Sequence, residues 1–137
     1  MRHLTDFIGA YSVARRIEDH RSGGHSRFQG TAQITEDIDG ARYVERGQLI
    51  MGDQRFEAER SYLWKTAGTR ISVLFADGRP FHDFDPEAGG QAAEHLCGAD
   101  LYRGGYDLSD WPRWSVTWDV WGPRKDYRSV TTFLPKA

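Results

Sequence analysis

Arg15, Glu45 and Arg60 carry charge on the apolar parity of alternating runs. Tyr11, Val13 and Ile17 share the parity of Arg15. Tyr43, Leu49 and Met51 share that of Glu45, and Phe56, Ala58, Tyr62 and Trp64 share that of Arg60. If the apolar parity faces the interior, these three charges point inward, beside Tyr43 and Tyr62. A guanidinium taken out of water must find a partner. One partner is internal, an Arg–Glu pair through Glu45. The other is an anionic ligand such as a carboxylate, held by a guanidinium fork and a phenol. Both readings rest on which face each strand turns inward.

A second group is His82, His95 and Cys97. His95 and Cys97 are two residues apart and so share one strand face. His95 could ligate a metal or haem, or act as an acid–base group. A zinc site wants three or four converging ligands, and no third is evident from the spacing. Nucleophilic chemistry at Cys97 needs a nearby base; as a buried residue it is simply a small hydrophobe. The tryptophans form a third group. Trp114 and Trp118 share a face and read as core or pocket wall. Trp121 falls on the other parity, at a rim or on an exposed patch. Asp83 and Asp85 share a face, but Pro86 follows and a solvated loop is expected.

These residues must be positioned by strands. Turn clusters punctuate the chain at Ser22-Gly23-Gly24, Asp39-Gly40, Gly52-Asp53, Ala67-Gly68-Thr69, Asp77-Gly78, Gly89-Gly90, Gly104-Gly105 and Gly122-Pro123. Between them the pattern alternates with period two, which argues for an all-β barrel or sandwich. The spacing predicts strands over 10–19, 27–35, 42–51, 54–65, 70–76, 80–85, 92–97, 100–107, 114–120 and 125–134. Asp77-Gly78 is a tight hairpin signal, and Trp111-Pro112 reads as a turn at a barrel end. Leu4, Phe7 and Ile8 lie at helical spacing, so a short helix opens the chain, with Thr5 or Asp6 as N-cap. Long antiparallel strands with one polar face close on themselves, because closure removes exposed edges. The fold class expected is a closed up-and-down antiparallel barrel of about ten strands.

Bulk properties narrow the functions. At 137 residues the chain has the size of one domain. Its net charge is −2 with both signs interspersed, so no nucleic-acid or anionic-membrane surface is expected. The single Cys97 excludes an intrachain disulfide and suits a reducing compartment. No apolar run reaches the roughly 18 residues of a membrane span, and no signal-peptide pattern opens the sequence. The expectation is a cytoplasmic protein. No Gly-rich phosphate loop, Gly-x-Ser-x-Gly elbow or His-Glu-x-x-His run occurs.

Phe7-Ile8-Gly9-Ala10-Tyr11, followed by Arg15-Arg16-Ile17, is similar to the Gly-x-Trp opening of lipocalins and fatty-acid-binding proteins, with Tyr11 in the place of the tryptophan. Three later stretches, 77–82 (Asp-Gly-Arg-Pro-Phe-His), 95–102 (His-Leu-Cys-Gly-Ala-Asp-Leu-Tyr) and 122–127 (Gly-Pro-Arg-Lys-Asp-Tyr), resemble a bacterial family without an established activity. That family is assigned a lipocalin-like, calycin-type barrel. The resemblance covers nearly the whole chain and implies the fold; it brings no reaction. Lys125-x-Tyr127 resembles the Arg-x-Tyr carboxylate grip on the last strand of fatty-acid-binding proteins. Here a flexible point charge replaces the planar fork.

The function expected is binding of a small, anionic or amphipathic molecule inside the barrel, without enzymatic activity, cofactor or metal. Arg15, Arg60 and Tyr62 would anchor an anionic head. Trp64, Phe75 and Trp118 would line the apolar part, and His95, Tyr102 and Tyr127 would orient the ligand by hydrogen bonds. One alternative is a small barrel isomerase or lyase with His95 or His82 as general base beside a tyrosine. Another is an interaction barrel with a filled core and Trp121 on a homodimer face.

Overall fold

The computed structural model describes residues 2–87 and 95–136. A 3-10 turn, Leu4–Phe7, precedes ten strands: β1 (Gly9–Asp19), β2 (His25–Asp37), β3 (Gly40–Met51), β4 (Gln54–Ala67), β5 (Arg70–Phe75), β6 (Pro80–Phe84), β7 (His95–Cys97), β8 (Asp100–Asp107), β9 (Trp114–Trp121) and β10 (Asp126–Pro135). The predicted strand over 92–97 begins at His95 among the described residues; 92–94 and the Gly89-Gly90 turn signal lie outside them. All pairings are antiparallel, in the order β6-β5-β4-β3-β2-β1-β10-β9-β8-β7. The first strand pairs with the last, so the meander wraps round into a nearly closed barrel. Among the described residues, β6 and β7 stand at the two ends of this order. No described helix is long and apolar enough to cross a membrane.

Alternation decides which face is inside. On β1 the buried residues are Tyr11, Val13 and Arg15; on β2, Phe28, Ala32 and Ile34; on β3, Ala41, Tyr43 and Glu45. Most side chains on the opposite parity meet water, so a one-residue slip would expose most of the core; at the end of β3 the parity switches, with Ile50 buried and Met51, expected inward, exposed. The long walls also need bends. Gly30 and Gly47 face each other in register across β2 and β3. A Cβ on either would overlap the partner backbone, so only glycine permits that approach.

One barrel end is plugged by the N-terminal turn. Phe7 is fully buried and meets Trp64, Phe84, Trp111 and Trp114 edge-on at 5.0–6.0 Å between ring centroids. Tyr11, in the lipocalin-like opening, donates its hydroxyl to the Phe7 carbonyl at 2.6 Å. The cap differs from expectation. His3 is the N-cap, and Asp6 sits three residues into the turn, accepting the His3 N–H at 2.8 Å. A carboxylate at that position can reach back to an orphan amide, which a hydroxyl at Thr5 does not do here.

Three further expectations are corrected. Phe56 keeps its inward parity but is 47% exposed, because β4 runs past the packed part of the barrel. Cys97 is exposed rather than buried, since the short edge strand β7 has a neighbour on one side only. Asp83 lies within β6, not in a loop, and is bound by Arg70 of β5 (Nε to Oδ1, 3.0 Å).

Candidate functional site

Three inward charges meet in one layer of the barrel. Arg15 on β1 and Glu45 on β3 are separated by β2, so two strand spacings of about 4.8 Å each lie between them. Only long side chains span that gap, and the small residues Gly30 and Ala32 of β2 leave room beneath. Arg15 grips Glu45 with both terminal nitrogens (Nη1–Oε2 2.9 Å, Nη2–Oε1 2.6 Å), and its Nε donates to Thr131 Oγ1 at 2.7 Å. The Tyr43 hydroxyl donates to Glu45 Oε1 at 2.6 Å. Burial opposes ionisation of Glu45, which is 2% exposed. The Arg15 hydrogen bonds, the two guanidinium charges and the Tyr43 hydroxyl outweigh burial and hold its carboxyl below the usual range. Burial and the adjacent carboxylate push the Tyr43 phenol well up, so it remains a donor.

Arg60 completes the layer differently. In register, it faces Glu45 directly across β3 and β4. Its Nε lies 3.0 Å from Glu45 Oε2, and its side chain is 46% exposed. Its two terminal nitrogens make no hydrogen bond to the described residues, and its guanidinium lies over the Tyr62 ring at 5.6 Å. Two cations thus share one carboxylate, leaving one positive charge in excess.

That excess charge stands between two hollows. An inner cavity of about 200 Å3 and an outer chamber of about 330 Å3 share Arg15, Arg60, Tyr127 and Ser129 in their walls. The outer chamber also includes Asp19, His25 and Met51. The inner cavity is walled by rings. Phe81 stacks with Phe75 (centroids 4.7 Å, planes 18° apart) and with Trp118 (5.1 Å, 18°), and Tyr62 lies near-parallel to Phe81 (5.9 Å, 26°). The indole of Trp118 lies over Gly104 of β8, where a Cβ would meet the ring at 2.6 Å.

The same rings close the barrel seam. Phe84 stacks on Tyr106 at 3.7 Å, and His82 Nε2 lies 2.8 Å from the Tyr106 hydroxyl. Burial pushes His82 down to about 3 and the Tyr106 phenol well up. A histidine kept neutral so firmly is a weak general base near neutral pH.

Eight of the nine residues singled out from the sequence line the inner cavity: Arg15, Arg60, Tyr62, Trp64, Phe75, Tyr102, Trp118 and Tyr127. His95 does not. It stands behind the wall, 5.4 Å from the Phe81 ring and 6.2 Å from those of Phe75 and Tyr102. Arg15 lines the cavity with its guanidinium already committed. Lys125 precedes β10 instead of lying on it, and its ammonium is taken by Asp100 and the Tyr102 hydroxyl, each at 3.2 Å. Those two partners hold its pKa up, and only Tyr127 of the Lys-x-Tyr pair reaches the cavity. Trp121 is 40% exposed under the Arg103 guanidinium. No group of three or more His, Cys, Asp or Glu suited to a metal occurs among the described residues.

Sequence reasoning missed Phe81, Tyr106, Ser129 and Thr131 as cavity wall. Alternation along β10 places Ser129 and Thr131 beside Phe133 on the buried parity, a signal present in the sequence. Phe81 meets Trp118 of β9, and Tyr106 meets His82 and Phe84 of β6, across the seam, and no local pattern encodes those contacts.

Residues 7–135 match a family of unknown function, DUF6314. No curated protein matches the chain. Among solved structures, an S-type phycobiliprotein lyase from Guillardia theta superposes with a TM-score of 0.67 at 7% identity, over 98% of this chain and 90% of the other. At that identity the likeness is one of fold.

Proposed function

The chain belongs to this DUF6314 family, and we propose that it binds a small anionic molecule in the inner cavity, with Arg60 as the anchor. The observation that carries this reading is the uncommitted end of the Arg60 guanidinium at a ring-walled cavity. A planar fork with two open N–H pairs suits a carboxylate, which takes parallel hydrogen bonds from it. Tyr127 and Ser129, on the same wall, supply further hydroxyls. Arg15 and Glu45 act indirectly: the pair fixes Arg60 through its Nε and leaves the fork free. The fold shared with a phycobiliprotein lyase is compatible with a ligand-handling barrel but names no ligand.

The test is native mass spectrometry of protein purified without denaturation, on wild type and Arg60→Leu. The wild type should carry a reproducible extra mass that acid denaturation releases as an organic acid, and the variant should lose it. Equal retention by both proteins, or a bare wild-type protomer, overturns the reading.

A further inference from the structure

We infer that the ligand is a compact aromatic monoacid, one or two fused rings bearing a single carboxylate, seated ring-inward with the carboxylate on Arg60. The inference rests on the anion-binding reading above and specifies its ligand class.

Three observations set the class. The first is size. An apolar cavity of roughly 150 Å3 holds a benzene ring; the inner cavity, at about 200 Å3, is only modestly larger. It has room for a ring system but not for a long alkyl chain. The outer chamber mixes Asp19, Ser22, His25 and Ser26 with Ile17 and Met51, so a chain tail reaching it meets a partly polar wall.

The second is the orientation of the walls. Phe75, Trp118 and Tyr62 hold their planes within 18° to 26° of that of Phe81. Layered rings present flat faces, and a flat guest extends the layering by offset stacking. A flexible chain gains burial there but not stacking, and it loses more rotamer freedom on binding. The stacking advantage corresponds to roughly tenfold in affinity.

The third is charge. Arg15 and Arg60 are the cations in the inner wall, and Glu45 neutralises one of them. His82, held neutral, adds none. One net positive charge matches one carboxylate. A dianion would bring a second charge into the cavity without a partner, which is costly.

Isothermal titration calorimetry with 2-naphthoate, octanoate and 2-naphthamide tests the class, on wild type, Arg60→Leu and Phe75→Leu. Circular dichroism confirms that each variant is folded. 2-Naphthoate should bind wild type at least about tenfold tighter than either other probe. Arg60→Leu should remove its advantage over the amide, and Phe75→Leu should narrow its advantage over octanoate. If octanoate binds as tightly as 2-naphthoate and both weaken in Arg60→Leu, the aromatic class is wrong while anion binding stands. If 2-naphthamide binds as tightly as 2-naphthoate, Arg60 is not the anchor, and both conclusions fall. Absence of binding by all three probes overturns both as well.

Discussion

Glu45 receives four polar contacts from three side chains, two of them on other strands. The seam between β6 and the β8–β9 pair is held mainly by ring faces, Phe81 on Trp118 of β9 and Phe84 on Tyr106 of β8, with one polar contact among the described residues, His82 to Tyr106. Both regions border the same cavity, and both bridge elements that are not neighbours in the sheet. The charged layer does so with directional bonds that fix distances to a few tenths of an ångström. The seam does so with contacts that tolerate sliding, because stacking depends only gently on offset. The difference teaches where stability and adaptability are kept apart. The proposed anchor, Arg60, sits on the rigid layer, while the facing cavity wall is made of rings drawn from β4, β5, β6 and β9.

The largest effect should come from breaking the rigid layer. Glu45→Gln preserves shape but leaves Arg15, with a side chain 8% exposed, holding an uncompensated charge. Removing one partner of a buried ion pair costs about 3 kcal/mol or more. The thermal midpoint at pH 7 should fall by roughly 10 °C. A loss below about 1 kcal/mol would show that the layer counts for no more than a surface pair, and the contrast with the seam would disappear.

A smaller effect should separate the two regions by pH. In the folded protein His82 ionises near 3, against an ordinary 6.5. The unfolded chain therefore binds this proton more readily. Stability is fully present above pH 6.5 and falls as the pH drops toward 3. Glu45, held below its ordinary 4.5, loses its contribution only under more acid conditions. The interval from pH 6.5 to 4.5 thus reports on the seam. Between pH 7 and pH 5 the wild type should lose about 2 kcal/mol more than His82→Phe in urea unfolding. Equal losses would mean that His82 reaches water in the folded state and that the seam is open.

The same contrast explains what the sequence made legible. The layer is written in local alternation. Arg15, Glu45 and Arg60 each interrupt an apolar parity, so their inward direction follows from period two alone. Most of the strands and the order of their hairpins follow from turn clusters and the same alternation; Gly104-Gly105 is the exception, lying within β8 and paired with β9 instead of forming a turn. Arg15 and Arg60 look equivalent in sequence, and register alone would favour Arg60, which stands opposite Glu45; only the side-chain contacts show that Arg15 takes the bidentate grip and Arg60 meets the carboxylate through Nε. The seam was illegible for a further reason. Phe84 and Tyr106 are 22 residues apart on strands that share no ladder, so nothing in either strand's pattern specifies their meeting. His95 stands outside the inner-cavity lining across the same gap, on a strand that pairs with β8 alone among the described residues. Lys125 falls before its predicted strand because its backbone closes the preceding turn, its carbonyl accepting the Gly122 N–H at 2.8 Å, while its ammonium goes to Asp100 and Tyr102 on β8.

The smallest effect sharpens the distinction within the layer itself. Arg60 shares Glu45 with Arg15, yet its side chain is 46% exposed and one of its three nitrogens faces the carboxylate. An ion pair so open to water contributes up to about 1 kcal/mol. Arg60→Leu should therefore shift the thermal midpoint by no more than a few degrees. Glu45 keeps its bidentate partner and the Tyr43 hydroxyl in that variant, so no buried charge is stranded. Scanning calorimetry of Arg60→Leu beside Glu45→Gln decides the point. If the two variants lose the same stability, the three charges form one indivisible unit, and Arg60 has no free energy left to spend on a ligand. A loss several-fold smaller for Arg60→Leu means that the barrel stands without this guanidinium, and that its open fork is free for whatever enters the cavity.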